Sequence, residues 1–388
     1  MGNTGNGNGS LVRMTHQQVL FRSSPAKMNG SAGDRHTHHR KEIHRMNFRA
    51  RTHVSAFTLI ELLVVVAIIA VLIGILLPAL SAARRHGQSV KCATNLHHVA
   101  QAMGSYLADN GGVYPPSYIY PYDGEGNYNL ASQGESNDHP FGYLHWSWFL
   151  YSRGQAPEDS FKCPSIPNGG APRTNPGPLG WEPGQVDQNG NSGPNAGAIQ
   201  DKQAERMAYT GNAAIFPRNK FAFGMVSGSR VNVFVNEKAI DDPSRVVLAT
   251  EFNKNWKVVA EGGGDAGLLS KSHRPINALL HATAGSDEYG APEGVPGFQY
   301  GSPTTNFGLQ REDQITNARG LLSTSGLSEA NAVGRHHPGG DKLGGSSNFL
   351  YADGHVERKT IRQTLERWEW GRRYYSLSGY NKVGPPWN

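Results

Sequence analysis

Few residues in this chain have the type and spacing to do chemistry. Glu61 is the only charged residue between Phe57 and Leu80. A carboxylate inside an apolar run is costly and persists where it has a partner or a task. The cation it wants lies near Phe57. A cut between Ala56 and Phe57 would supply one, as a free α-amine that reaches the Glu61 of a neighbouring copy more easily than its own. Toward the C-terminus, His336, His337, Asp353 and His355 could hold Ca²⁺ or a transition metal. The plainer reading, which we adopt, is that Asp353-Gly354 makes a turn and the histidines are surface or hydrogen-bonded groups, with no cofactor. The two cysteines, Cys92 and Cys163, either pair or remain separate buried thiols. Trp146, Trp148, Phe149 and Tyr151 in "GYLHWSWFLYSRG" could stack on sugars if exposed, but they read better as core. His36, His38 and His39 read as adventitious composition. No phosphate-binding glycine loop, zinc-protease helix or nucleophile elbow is present, and Gly262 to Gly264 read as loop. The chain is therefore not read as an enzyme.

The elements that position these groups begin with the apolar run. Its 24 residues would span roughly 36 Å as a helix, enough to cross a bilayer core of about 30 Å. It is too long for the apolar region of a cleaved secretory signal, and nothing polar interrupts Leu62 to Leu77. Pro78 need not end the helix. Beyond it, Leu80, Ala83, Val90, Leu96, Val99, Ala100, Met103, Tyr106 and Leu107 form a rough 3.6-residue stripe, and Asp109 to Gly112 supply a stop. One helix over 57–112 is expected, its lower half in membrane and its upper half packed on a sheet.

The rest is rich in turns. Of 388 residues 37% are apolar, against 48 Gly and 23 Pro, which favours short strands and loops over a helix bundle. Strands are expected at 230–236, 245–252, 348–352 and 355–359. The last two flank Asp353-Gly354, a two-residue hairpin signal. Residues 253–346 read mostly as loop. The net charge of +6 resides in the N-terminal arm. Residues 1–56 carry nine of the 37 Lys/Arg and two of the 31 acids, so the remainder has 28 basic and 29 acidic residues. A nearly neutral body does not suit nucleic-acid binding.

"AFTLIELLVVVAIIAVLIGILLPAL" resembles the class III signal of type IV pilins and type II secretion pseudopilins. In that resemblance Ala56 stands before the cut, where glycine is usual. Phe57 is the first mature and N-methylated residue, Glu61 the fifth-position glutamate used in assembly, and Pro78 the proline that kinks the helix. It implies an α+β, pilin-like fold: a long N-terminal helix on a small antiparallel sheet with long loops. The domain reading is a basic leader over 1–56 with Met46 as an alternative start, a membrane segment over 57–80, an amphipathic continuation over 81–112, and an extracytoplasmic head over 113–388. The implied partners are the membrane, a prepilin peptidase and methyltransferase, and other pilin-like subunits. The implied place is the cytoplasmic membrane, crossed once, with the head in the periplasm or outside the cell.

The body is similar to large prepilin-like proteins whose head has no assigned function. "FKCPS", "YTGN", "IDDPSRVVLATEF" and "RHHPGG…NFLYADGHVERK" carry that likeness. Its C-terminal signature falls on His337, Asn348, Asp353, Gly354 and His355. Fifteen residues separate His337 from Asp353 where about nine are usual, which argues against one local site. With the head outside the cytoplasm, oxidation is favoured and Cys92 and Cys163 are expected to pair. The competing class is an anchored binding module for a carbohydrate or other ligand that never polymerises.

Overall fold

The computed structural model describes residues 58–119, 142–193, 199–217, 233–262, 267–280, 298–315, 327–377 and 383–384. The chain divides into two units, Met1–Leu62 and Leu63–Asn388. Helix α1 is Leu59–Asp109, with Pro78 inside it. The proline ring cannot donate to the Gly74 carbonyl one turn back. Gly74 has open space around its Cα, and the helix runs on. It ends where Gly111 (φ +64°) and Gly112 (φ +78°) turn the backbone left-handed, with the Gly112 amide donating 2.7 Å to the Leu107 carbonyl.

The buried face of α1 is Ser89, Cys92, Asn95, Leu96, Val99, Ala102, Met103, Tyr106 and Leu107. This corrects the expected stripe at its lower end. Leu80, Ala83 and Val90 are exposed, because two residues rotate a helix by about 200° and Val90 therefore points away from the face that holds Cys92. The buried stripe begins at Ser89 and not at Leu80.

Five strands form the central sheet: β1 (Tyr209–Gly211), β2 (Val247–Glu251), β3 (His337–Asp341), β4 (Gly344–Tyr351) and β5 (Val356–Lys359). The path is β3-β4-β2-β1, with β5 also paired to β4, and every pairing is antiparallel. All five positions of β2 are buried, so both its faces are covered. α1 lies over one face, where the Tyr209 hydroxyl donates 3.0 Å to the Cys92 carbonyl. Trp370 meets Phe349 edge-on, with ring centroids 6.4 Å apart. The described residues thus give a long helix on a small antiparallel sheet, an α+β, pilin-like layout.

The hairpin between β4 and β5 has three loop residues, not two. The Tyr351 amide donates 2.9 Å to the His355 carbonyl, leaving Ala352, Asp353 and Gly354 in the loop. A two-residue type I′ turn needs positive φ at both central positions. Here only Gly354 (φ +94°) has it, the pattern of a type I turn closed by a left-handed glycine. The strand expected at 230–236 falls partly outside the described residues. Over 233–236 there is only a bridge from Asn236 to Val113. Asn236 instead caps a 3₁₀ turn over Glu237–Ala239, accepting from the Lys238 amide.

Residues 253–346 contain more strand than expected. Ala260–Gly262, Leu268–Ser270, Leu279–Leu280, Phe298–Tyr300 and β3 are among them. The aromatic segment is core. Trp146–Tyr151 forms a short helix, α2, in which Trp146, Phe149 and Leu150 are buried. Phe149 meets Tyr106 of α1 edge-on at 6.3 Å.

Candidate functional site

The C-terminal signature divides between two places. His337 and Asn348 converge on Glu251, the last residue of β2. Glu251 is fully buried. Its Oε1 accepts from His337 Nε2 (2.8 Å) and Asn348 Nδ2 (3.0 Å). Its Oε2 accepts from the Asn348 amide (2.8 Å) and the Ser347 hydroxyl (3.0 Å). Register explains the convergence. Thr250 sits opposite Phe349, so the next residue of β2 faces the Ser347–Asn348 stretch of β4. His337 opens β3 opposite Ser346, one residue from Ser347. Asn348 Nδ2 also donates 3.3 Å to the Ser89 carbonyl, which ties the cluster to the first buried residue of α1.

Cys92 and Cys163 form a disulfide beside this carboxylate. Cys163 Sγ lies 3.9 Å from Glu251 Oε1 and 3.8 Å from His336 Nε2. His336 Nε2 lies 3.8 Å from Glu251 Oε2. Asn95 Nδ2 donates 2.7 Å to the Lys162 carbonyl, so the segment that carries Cys163 is held to α1 by a second bond next to the disulfide. Nδ1 of His336 and Nδ1 of His337 are buried without a hydrogen-bond partner.

Burial works against a charge on Glu251. The His337 hydrogen bond, the nearby imidazoles and the Asn348 amide outweigh it and hold the carboxyl below its usual range. Burial pushes His336 down to about 4, against the pull of Glu251, so that ring is neutral near pH 7. The hydrogen bonds, more than charge attraction, therefore keep Glu251 ionised. The arrangement is a buried anion at the end of β2 held by donors from two neighbouring strands, β3 and β4, with a disulfide on one side.

Asp353, Gly354 and His355 lie elsewhere. Asp353 and His355 pair across the hairpin tip, Nδ1 to Oδ1 2.6 Å, and His355 stacks on Tyr351 with 4.3 Å between centroids. About 17 Å of strand separates Ser346, the partner of His337, from Tyr351, where the tip begins. The trio His337, Asp353 and His355 is therefore not brought together. Among the described residues, one group has metal-ligand spacing. It comprises Cys92, Cys163, Glu251 and His337, with one ligand atom of each within 4.8 Å of the others. Glu251 was not singled out in the sequence. The available signal was an acid closing the otherwise uncharged "VVLATE".

The other candidate site is the start of α1. Ala56 and Phe57 lie outside the described residues. Thr58 and Glu61 form a reciprocal cap, in which the Thr58 amide and hydroxyl donate to Glu61 Oε2 at 2.8 and 2.9 Å. The Glu61 amide in turn donates 3.3 Å to Thr58 Oγ1. This is the capping box that a Thr followed three residues later by Glu allows. From Leu59 to Leu80 the large apolar side chains of the helix are exposed, Leu59 by 80% and Leu80 by 67%. α1 is long and apolar enough to cross a membrane, and its apolar window buries nothing within the structure. Residues 51–77 match the family model of the prokaryotic N-terminal methylation motif. The chain thus carries a prepilin-like class III signal on a helix that fits a single-pass membrane anchor. That match covers the signal alone, and the C-terminal signature lies outside it. Comparison with curated proteins and with solved structures returned no match.

Proposed function

We propose that the chain is a prepilin-like structural subunit of a type II secretion pseudopilus or a type IV pilus-like assembly. The observation that carries this is the methylation motif at residues 51–77, continuing into a helix whose apolar side chains have no cover within the fold. Solvent exposure of such a run is costly, at roughly 25 cal/mol per Å². Lipid before assembly, and the helices of neighbouring subunits after it, would relieve that cost.

In this reading a prepilin peptidase cuts between Ala56 and Phe57 and a methyltransferase modifies the new amine. Residues 1–56, or 46–56 if Met46 is the start, are the leader. Residues 57–80 sit in the cytoplasmic membrane, 81–112 continue the helix, and 113–388 form the head on the outer side. Glu61 is the assembly residue, pairing with the Phe57 amine of another subunit. The chemistry is done to the chain, which itself acts as a structural part.

Mass spectrometry of the mature N-terminus in membrane-purified protein tests the proposal. The expected species starts at methylated Phe57. A mature chain that still carries residues 46–56 refutes it and leaves an ordinary signal anchor. Recovery of the protein in sheared surface fibres separates a subunit from an anchored binding module.

A further inference from the structure

A disulfide asks for no polar neighbours, yet Cys92–Cys163 is walled by a carboxylate and two imidazoles. Burying these is costly unless each has a partner. Four separate segments bring the donors together: Cys92 from α1, Cys163 from the turn after Glu158–Phe161, Glu251 from the end of β2 and His337 from the start of β3. One ligand atom of each lies within 4.8 Å of the other three, and all four residues are buried. We propose that, when its two cysteines are reduced, the chain binds one Zn²⁺ at this centre through Cys92, Cys163, Glu251 and His337. Disulfide and metal are then alternative occupants of one site.

The distances suit a tetrahedral ion. Zinc bonds of about 2.3 Å to sulfur and 2.0–2.1 Å to oxygen or nitrogen place neighbouring ligands roughly 3.3–3.8 Å apart. Cys163 Sγ and Glu251 Oε1 already stand 3.9 Å apart. His337 Nε2 and Glu251 Oε1, now 2.8 Å apart as a hydrogen bond, need to open by about 0.5 Å, and the ring proton moves from Nε2 to Nδ1 so that Nε2 can ligate. Glu251 Oε2 keeps its bonds from Ser347 and the Asn348 amide, which would fix the ligating carboxylate from behind. Two thiolates and an imidazole select zinc over Ca²⁺ or Mg²⁺, which take six or more oxygens.

Buried charge does not increase. The oxidised centre holds one carboxylate beside a neutral disulfide. The metal centre holds that carboxylate and two thiolates against a divalent cation, again one net negative charge. The redox step balances with a phosphine as reductant. The S–S bond breaks and the phosphine becomes its oxide. Water supplies the oxygen and the two thiol protons, which zinc then displaces to solvent. Oxidation by an external disulfide restores the cross-link: two electrons pass from the thiolates to that disulfide, which takes two protons from water and leaves as two thiols, while the Cys92–Cys163 bond closes and the ion is released. Both sulfurs are fully buried, so exchange passes through local opening or through folding before oxidation.

The test uses the full chain in detergent, oxidised or reduced with a water-soluble phosphine, then exposed to Zn²⁺ or Co²⁺ and freed of excess metal. Metal analysis should find one ion per reduced chain and none per oxidised chain. The cobalt form should show a thiolate-to-metal charge-transfer band. His337→Ala should weaken binding at least tenfold, and the Cys92→Ser/Cys163→Ser pair should abolish it. The proposal is overturned if the reduced chain, still folded by circular dichroism, holds no more metal than the double variant. It is equally overturned if bound cobalt lacks the thiolate band, or if reduction unfolds the chain and zinc does not restore it.

Discussion

Replacing Glu251 by glutamine should cost about 2–4 kcal/mol, although the two side chains have nearly the same shape. Four donors meet the carboxylate, two at each oxygen. An amide must place its NH₂ at one of those positions. At the Oε2 position it would meet the backbone N–H of Asn348, which cannot change role. It must therefore take the Oε1 position, facing His337 Nε2 and Asn348 Nδ2. His337 can adapt by shifting its proton to Nδ1, where no acceptor waits. Asn348 can adapt only by flipping, which removes its bond to the Ser89 carbonyl. One hydrogen bond is lost, a second is put at risk, and those that remain lose charge assistance. At about 0.5–1.5 kcal/mol for a neutral bond and 1.5–3 for a charged one, the stated range follows. Glu251→Ala, which leaves four orphaned donors and a cavity, should cost more. Urea denaturation of the full chain in detergent, followed by fluorescence of buried Trp146 and Trp370, measures both. Hydrogen exchange should show earlier opening of α1 around Ser89 to Leu96. A Gln variant within 0.5 kcal/mol of the parent would refute the claim that a charge is stored here.

Three further predictions follow from the same geometry. The Cys92→Ala/Cys163→Ala pair removes a cross-link over 71 residues and should lose about 4 kcal/mol by the chain-entropy relation; a urea midpoint equal to the parent's would sink it. Burial holds His145 at about 3 and His336 at about 4, and lifts Asp201 to about 6 against the Asn175 and Tyr143 hydrogen bonds. Between pH 6 and 4 the unfolded chain binds two protons that the fold refuses, while the fold keeps one that the unfolded chain releases. Stability should therefore fall by about 1.4 kcal/mol per unit as pH drops, and urea midpoints at pH 6, 5 and 4 that are flat or rising would contradict it. Glu61→Gln keeps the Thr58 cap but not the charge, so it should stay membrane-bound yet fail to enter fibres, as Glu61→Ala should; parental assembly of the Gln variant would leave the cap as the carboxylate's sole role.

What the sequence made legible is what an apolar run can encode. A run of 24 residues with one charge announces a helix by its length, and "RVVLATEF" and "NFLYA" announce strands because burial in a sheet asks for a short apolar run several residues long. The position of the last hairpin was legible from Asp353-Gly354. Its loop length was not, since that depends on whether Asp353 itself takes positive φ. The segment 253–346 defeated the same method for a physical reason. Four of its described strands, Ala260–Gly262, Leu268–Ser270, Leu279–Leu280 and Phe298–Tyr300, are two or three residues long, below the length at which alternation can be seen, and β3, His337–Asp341, reads HPGGD, with no apolar alternation to see. Much of the cohesion there comes from hydroxyls on backbone carbonyls: Ser270 and Ser272 on Pro172 at 2.7 Å each, and Thr174 on Ser270 at 2.7 Å. Such bonds join residues about a hundred positions apart and leave no local pattern.

Glu251 was missed because one acid at a strand end looks like surface. Its meaning lies in what packs against it. α1 leaves the body of the head at Ser89, below which its large apolar residues down to Leu63 are exposed. The first buried residues of that helix are Ser89 and Cys92. Both are fastened at this level, Ser89 by Asn348 across 259 positions of chain and Cys92 by the disulfide to Cys163. Glu251 fixes Asn348 by two bonds and lies against Cys163, so the noncovalent and covalent fastenings share one buried anion. The residues of the expected C-terminal signature therefore do not form one local site. His337 and Asn348 belong to the anchor of the N-terminal helix. Asp353, Gly354 and His355 shape the hairpin that returns β5 to β4.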